Sequence, residues 1–197
     1  PILSAPGFAS AGSLVRAMNI VRFADLTETP WRNGGGVTRE ILRREQDGAF
    51  AWRISIADVA SEGPFSAFPG LQRILTVIEG EGMRLVRPDG SFLSADLISP
   101  VSFSGEEPII GALPNGPCRD FNVMWNPATN DASVSVVTAG QTAASGFSEF
   151  SGILCLSQNA SLSTGESLVF GDFALLNEST VLKDGKALLV IIKEHSH

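Results

Sequence analysis

Apolar residues recur in this chain with a period of two almost from end to end, and that rhythm excludes most folds at once. Trp52-Arg53-Ile54-Ser55-Ile56-Ala57 alternates apolar with small or polar side chains, as a half-buried strand does. Arg73-Ile74-Leu75-Thr76-Val77-Ile78-Glu79 reads as a more apolar strand ending at Gly80. Further strands are expected at residues 38–42, 83–87, 122–125, 133–137, 150–156, 167–175 and 187–193. Turn signals separate them: Pro88-Asp89-Gly90, Ser104-Gly105, Pro114-Asn115-Gly116 and Asp184-Gly185. No window carries the repeat of a convincing amphipathic helix. Many short strands, with 20 Gly and 11 Pro to turn them, predict an all-β sandwich or barrel.

A length of 197 residues suits one domain or two small lobes. The net charge of −7 argues against a nucleic-acid partner, which wants a basic patch. No apolar run approaches the roughly 20 residues of a membrane-spanning helix, so no membrane partner is expected. Cys118 and Cys155 lack metal-type spacing and are expected to be buried reduced thiols, as in a cytoplasmic protein. The two histidines, His195 and His197, stand at the C-terminus, and there is no Tyr. Neither an imidazole metal site nor any other cofactor is therefore expected.

Residues 1–17 are dominated by Pro, Ala, Gly and Ser and lack the basic and apolar regions of a signal peptide. They are expected to be a poorly ordered extension, with Met18 as the natural start. Residues 18–197 are expected to form a single compact unit, with one lobe at about 18–130 and a second at about 131–197. The Ala/Thr/Ser/Gly-rich stretch 130–148 is the expected junction, and Leu162–Leu168 weakly echoes Arg87–Leu93, hinting at a duplicated lobe.

Several residues could hold a ligand. In Pro30-Trp31-Arg32-Asn33-Gly34-Gly35-Gly36-Val37-Thr38-Arg39-Glu40, the Gly triplet fits either a tight turn or an anion-binding nest of backbone N–H groups. No Gly-Lys-Ser/Thr follows, so it is not a P-loop. Trp31 either packs over the turn or offers a stacking platform. Strand alternation puts Arg53 and Ser55 on one face and Trp52, Ile54 and Ile56 on the other. Either Arg53 and Ser55 line a cavity, with the apolar set outside under a covering sheet, or Arg53 faces solvent over an isoleucine core. Asn122 and Met124 share a strand face. Asp58, Glu79, Glu81 and Asp120 read mostly as turn or edge charges, and nothing marks an acid–base pair.

Ile78-Glu79-Gly80-Glu81-Gly82 resembles the strand-turn signature of cupins, small double-stranded β-helix barrels. Laying the metal-binding cupin pattern on Gly80 places its Glu ligand near Arg73 and its His-x-His pair in Ser66-Ala67-Phe68-Pro69. Phe68 and Phe103 fall near histidine positions. The resemblance implies a metal-free barrel in which Arg73 supplies positive charge, either to a ligand or to a structural partner such as Glu79. A wider likeness covers nearly everything from Met18 onward. Pro30–Ile41, Trp52-Arg53-Ile54-Ser55, Gly63-Pro64-Phe65-Ser66-x-Phe68-Pro69-Gly70 and Asp120-Phe121-Asn122-Val123-Met124 resemble the HutD/Ves family. That resemblance implies a bicupin, two packed barrel lobes with few helices. It also implies a non-enzymatic regulatory role in bacterial histidine utilisation, through an anionic metabolite such as urocanate or formylglutamate. The ligand-binding residues expected on this reading are Asn33, Arg53, Ser55, Phe68, Arg73, Asn122 and Met124, with no catalytic residue. A homodimer is left open. The rival is a metal-free cupin isomerase, lyase or hydrolase with a carboxylate base inside the barrel.

Overall fold

The computed structural model describes residues 19–143 and 149–195. The expectation of a poorly ordered extension at 1–17 lies outside them, as does the end of the stretch expected to be a junction. The first half comprises β1 (Ile20–Val21), a 3-10 turn at Phe23–Asp25, β2 (Glu28–Pro30), β3 (Gly36–Gln46), β4 (Ala49–Val59), β5 (Gly63–Pro64) and β6 (Gln72–Glu79). It continues through β7 (Met83–Val86), β8 (Phe92–Ala95), β9 (Val101–Ser104), β10 (Ile110–Ala112) and β11 (Cys118–Trp125). The second half holds β12 (Asn130–Thr138), β13 (Thr142–Ala143), β14 (Glu149–Cys155), β15 (Ala160–Leu162), β16 (Ser167–Leu168), β17 (Phe173–Leu175), β18 (Thr180–Asp184) and β19 (Lys186–Glu194).

These strands form four sheets. A six-stranded sheet, β2-β3-β4-β11-β6-β9, faces a four-stranded one, β5-β10-β7-β8, to make the first lobe. A five-stranded sheet, β1-β17-β14-β19-β12, and a four-stranded one, β13-β18-β15-β16, make the second. The period of two explains the stacking. Along β4 and β11, Trp52, Ile54, Ile56, Phe121, Val123 and Trp125 point out of the first lobe. They pack against Leu154, Phe173, Leu188, Val190 and Ile192 of the five-stranded sheet. A third apolar layer is thus buried between two barrels, each with its own core. Leu75, Val77, Met83, Leu85 and Ile109 fill part of the first interior. Ile153, Leu162, Leu182 and Leu189 fill the second.

The longest hairpin, β3–β4, turns at Asp47-Gly48, both at positive φ, the pairing that a two-residue hairpin turn requires. β1, at the head of the chain, does not join the first lobe's sheets; it pairs with β17, Ile20 opposite Ala174 and Val21 opposite Phe173. Phe23 then lies between the guanidinium groups of Arg39 and Arg119, 5.1 and 5.0 Å from its ring centroid.

Two local expectations differ from the structure. The strand expected over 167–175 is two short strands separated by a bend. Gly171 sits there at φ +86°, and the buried Asp172 carboxylate accepts from the N–H groups of Val169 and Phe23 and from Arg22. The stretch expected to be a junction from residue 130 begins as nine residues of regular edge strand, β12, because Ser133-Val134-Ser135-Val136 keeps the strand alternation. The crossing between sheets is the tight turn before it. There the Asn126 N–H donates to the Ala51 carbonyl (2.8 Å), and the Asn126 side chain caps Ala128.

Candidate functional site

The inner face of the six-stranded sheet carries a polar cluster in an otherwise apolar barrel. Cross-strand register builds it. Arg53 on β4 opposes Met124 on β11, Met124 opposes Arg73 on β6, and Arg73 opposes Phe103 on β9. One row deeper, Ser55 opposes Asn122, which opposes Leu75. With strands about 4.8 Å apart, the two arginine backbones stand about 10 Å from each other across Met124. Both guanidinium groups nonetheless lean on one ring: Phe68 lies 5.8 Å from Arg53 and 5.6 Å from Arg73. Phe65 and Phe103 complete an aromatic collar around Arg73, at 5.2 and 5.0 Å.

Arg73 is only 7% exposed, and no carboxylate among the described residues forms an ion pair with it. Its Nε and Nη2 donate to the Asn122 Oδ1, at 3.2 and 3.1 Å. Asn122 Nδ2 donates in turn to Asp120 Oδ1 at 3.0 Å. Burial pulls the Arg73 guanidinium down to about 10, against the pull of Asp120. Asp120 is 1% exposed; burial pushes it up to about 6, against the Asn122 bond and the Arg73 charge. Arg53 is also lowered by burial; its Nε has no hydrogen-bond partner, and Glu40 approaches only to 4.0 Å. Two desolvated cations thus share aromatic surroundings with one buried carboxylate, which the Asn122 amide separates from Arg73.

The structure therefore brings Arg53, Ser55, Phe68, Arg73, Asn122 and Met124 to one interior face. It does not bring Asn33 into their hydrogen-bond network. The Asn33 side chain accepts from the Gly35 N–H, and Gly34 N–H donates to the Trp31 carbonyl, so these amides close the turn. Gly36 lets the chain pass tightly: a Cβ there would lie 2.3 Å from the Asp58 carbonyl oxygen and 3.2 Å from the Trp31 ring. Trp31 itself is pinned by its Nε1–H to Thr38 Oγ1 (2.8 Å). Glu79 is 60% exposed at its side chain and pairs with Arg119 at 2.6 Å, not with Arg73. Arg119 and Arg39 both bind Asp58. Burial would raise the Asp58 carboxyl, but these two arginines hold it below the usual range. A recess of about 440 Å³ beside this network is lined by Asp58, Glu79, Gly80, Cys118 and Arg119, charges already matched to one another. Cys118 is a free thiol, pushed up to about 12 by burial. Among the described residues, no cluster of three or more His, Cys, Asp or Glu is placed to hold a metal ion.

Asp120 belongs to this buried cluster, and sequence reasoning read it as a turn or edge charge. The signal was present, since Asp120, Asn122 and Met124 alternate along one strand and so share a face.

The HutD family model matches residues 23–196. The chain belongs to the HutD family. A 21.2 kDa protein from the hutC 3' region of Pseudomonas putida is 43% identical over 115 residues, 56% of this chain and 59% of that protein. Protein Ves of Escherichia fergusonii is 37% identical over 123 residues, 59% of this chain and 63% of Ves. The matches thus span about six-tenths of the length of these curated relatives. HutD from Pseudomonas fluorescens SBW25, in a structure from a formate condition, superposes with a TM-score of 0.82 at 30% identity, covering 91% of this chain and all (100%) of that one. A cupin 2 conserved barrel domain protein from Leptotrichia buccalis covers 90% of this chain and 96% of its own at TM-score 0.55 and 10% identity, a likeness of fold alone. The HutD-type architecture is a bicupin, and the hutC-region relative ties the family to a histidine-utilisation locus. No helix of the described residues is long and apolar enough to cross a membrane.

Proposed function

We propose that this protein is a cytoplasmic binder of a small carboxylate metabolite of histidine catabolism, urocanate or formylglutamate, and that it modulates that pathway by holding the metabolite. One observation carries the reading: the Arg73 guanidinium is buried among three phenylalanines with an amide, not a carboxylate, as its acceptor. A buried unpaired cation is costly, and a ligand carboxylate is the partner that would offset that cost. Arg53 supplies a second positive group across Met124, which suits a ligand with a second acidic or polar end. The aromatic collar accommodates a planar or hydrocarbon-bearing body. A bidentate Arg–carboxylate contact in such a pocket contributes roughly 1.5–3 kcal/mol, and two with an apolar wall reach micromolar affinity.

Thermal unfolding with each metabolite tests this. At a ligand concentration near 100 Kd the folded state gains about 2.7 kcal/mol, roughly 5–10 °C for a chain of this size. No shift with either compound at millimolar concentration overturns the assignment. One observation favours the rival reading, an acid–base enzyme: Asp120 is a buried carboxyl inside the barrel with a raised pKa. Turnover of either metabolite by the pure protein, abolished in Asp120→Asn, would establish the enzyme in place of the binder.

A further inference from the structure

We propose that Asp120, acting through Asn122, sets how tightly Arg73 holds an anion and couples capture of that anion to uptake of one proton. The inference rests on the anion-binding reading above and names a positioning residue for it.

The geometry is a relay across two strands. Asp120 accepts the Asn122 N–H, and Asn122 presents its carbonyl oxygen to two N–H groups of Arg73. The carboxylate fixes the amide one way round and polarises it, which strengthens its oxygen as an acceptor. A guanidinium has five N–H donors in a rigid fork. Holding two of them fixes the guanidinium among Phe65, Phe68 and Phe103 and leaves three outside the Asn122 contact. A β-bulge supports the arrangement. The β11–β6 register shifts between Arg119 and Asp120, so Arg119 meets Glu79 while Asp120 meets Val77 two residues on. Along β11 itself, strand alternation sends Arg119 and Asp120 to separate charge networks.

The charge balance of the interior supplies the coupling. Arg73 on β6 favours the ionised form of Asp120, and Asp58 on β4 opposes it. Arg53 lies further along β4 and faces Glu40 of β3. Cys118 shares β11 and stays a neutral thiol, and the facing sheet contributes the apolar Met83, Leu85 and Ala95. With the Arg73 charge as its neighbour, Asp120 titrates at about 6 and is mostly ionised at neutral pH. An arriving carboxylate adds a like charge nearby and takes up part of the Arg73 field that had stabilised Asp120. The bound complex therefore favours the neutral carboxyl, and a proton passes from solvent to a carboxylate oxygen of Asp120. Affinity is highest below the free value, falls as pH rises through the window between the free and bound values, and levels off above it.

Calorimetric titration with formylglutamate, and with formate as the minimal carboxylate, tests this. Both probes stay ionised from about pH 5.5 upward, given ordinary carboxyl values near 4. The wild-type protein at about pH 7 is titrated in MOPS and in imidazole, whose ionisation heats differ widely. The expected result is an apparent enthalpy that differs between buffers in proportion to a proton taken up. Affinity should weaken by up to about tenfold per pH unit within the window. Asp120→Asn keeps an acceptor for Asn122, so it should bind with equal heat in both buffers. Its affinity should be flat with pH and tighter than wild type at about pH 8. Equal heats for the wild type, or an unaltered pH slope in the variant, overturns the inference and leaves the anion reading intact. Failure of both probes to bind overturns the anion reading and this inference with it. The two-buffer comparison needs no variant, so it decides the matter even if Asp120→Asn folds poorly.

Discussion

Replacing Arg73 with methionine separates a cation held for a ligand from a cation held for the fold. In the folded chain burial pulls the Arg73 guanidinium from its ordinary value down to about 10. At about 1.36 kcal/mol per unit, the fold carries roughly 3 kcal/mol against keeping this group charged. Methionine removes that burden. Its flexible thioether keeps contact with the aromatic collar of Phe65, Phe68 and Phe103, where sulfur–ring contacts are favourable. On the other side, the Asn122 oxygen loses both its donors, about 1–3 kcal/mol for a buried acceptor left unpaired. The cation–π attraction, about 0.5–2 kcal/mol, goes as well. These terms cancel to within about 2 kcal/mol, so the variant's Tm should lie within roughly 5 °C of wild type. Urea unfolding with an unchanged m-value is the assay. A loss of about 4 kcal/mol or more, typical of breaking a buried ion pair, would refute the reasoning and make Arg73 a structural residue. In the same variant, stabilisation by formylglutamate should fall away, because binding weakens by tenfold or more.

Asp120 forecasts a pH dependence. Its folded-state pKa, about 6, lies above the roughly 3.9 of an unfolded chain. Between those values the folded protein binds more protons than the unfolded, so this group lowers stability as pH rises from about 4 to 6. Above pH 6 the full penalty, about 2–3 kcal/mol, is present. Asp120→Asn should then exceed wild type at pH 8 by up to that amount, with the difference closing near pH 4; urea unfolding along a pH series in which the difference does not shrink toward pH 4 contradicts it. Gly36→Ala should cost more than about 3 kcal/mol, because its Cβ meets a carbonyl oxygen at 2.3 Å. Gly34→Ala, with open space around it but φ of +71°, should cost only about 1–2 kcal/mol, and the midpoints of the two unfolding curves give the comparison. Phe23→Ala removes the ring between Arg39 and Arg119 and should lower stability by roughly 2 kcal/mol, and a midpoint unmoved by the change would show that the N-terminal segment contributes nothing.

Strand alternation made much of this molecule legible before any coordinates. It separated Arg53 and Ser55 from Trp52, Ile54 and Ile56, and the isoleucine face lies under the second lobe's sheet. What it could not supply was register. That Arg73, Met124 and Arg53 stand in one row depends on three segments far apart in the chain choosing partners, and no local pattern encodes that choice. Asp120 was misread for the same reason. A charge beside the Cys118 end of a strand reads as an edge residue until β4 and β6 are seen to flank it. The Pro30–Glu40 motif drew attention as a ligand cradle, yet Asn33 and Gly34 to Gly36 build a turn. Close packing of Trp31 against Gly36 demands as unusual a sequence as binding would. Gly171-Asp172 shows the converse failure, since a continuous strand was expected where a buried carboxylate organises a bend.

The placement of β1 has a consequence for how the chain is born. Phe23 takes its backbone partner from Asp172, 149 residues later. At a synthesis rate of about 5–20 residues per second, that partner leaves the ribosome roughly 7–30 seconds after Phe23 does. Until the strands of the second sheet follow, Trp52, Ile54, Ile56, Phe121 and Val123 have nothing to cover them. The nascent first lobe therefore shows an apolar β surface to solvent, a natural target for holding chaperones and a route to aggregation in fast overexpression. Cutting the gene between the lobes would make that transient exposure permanent.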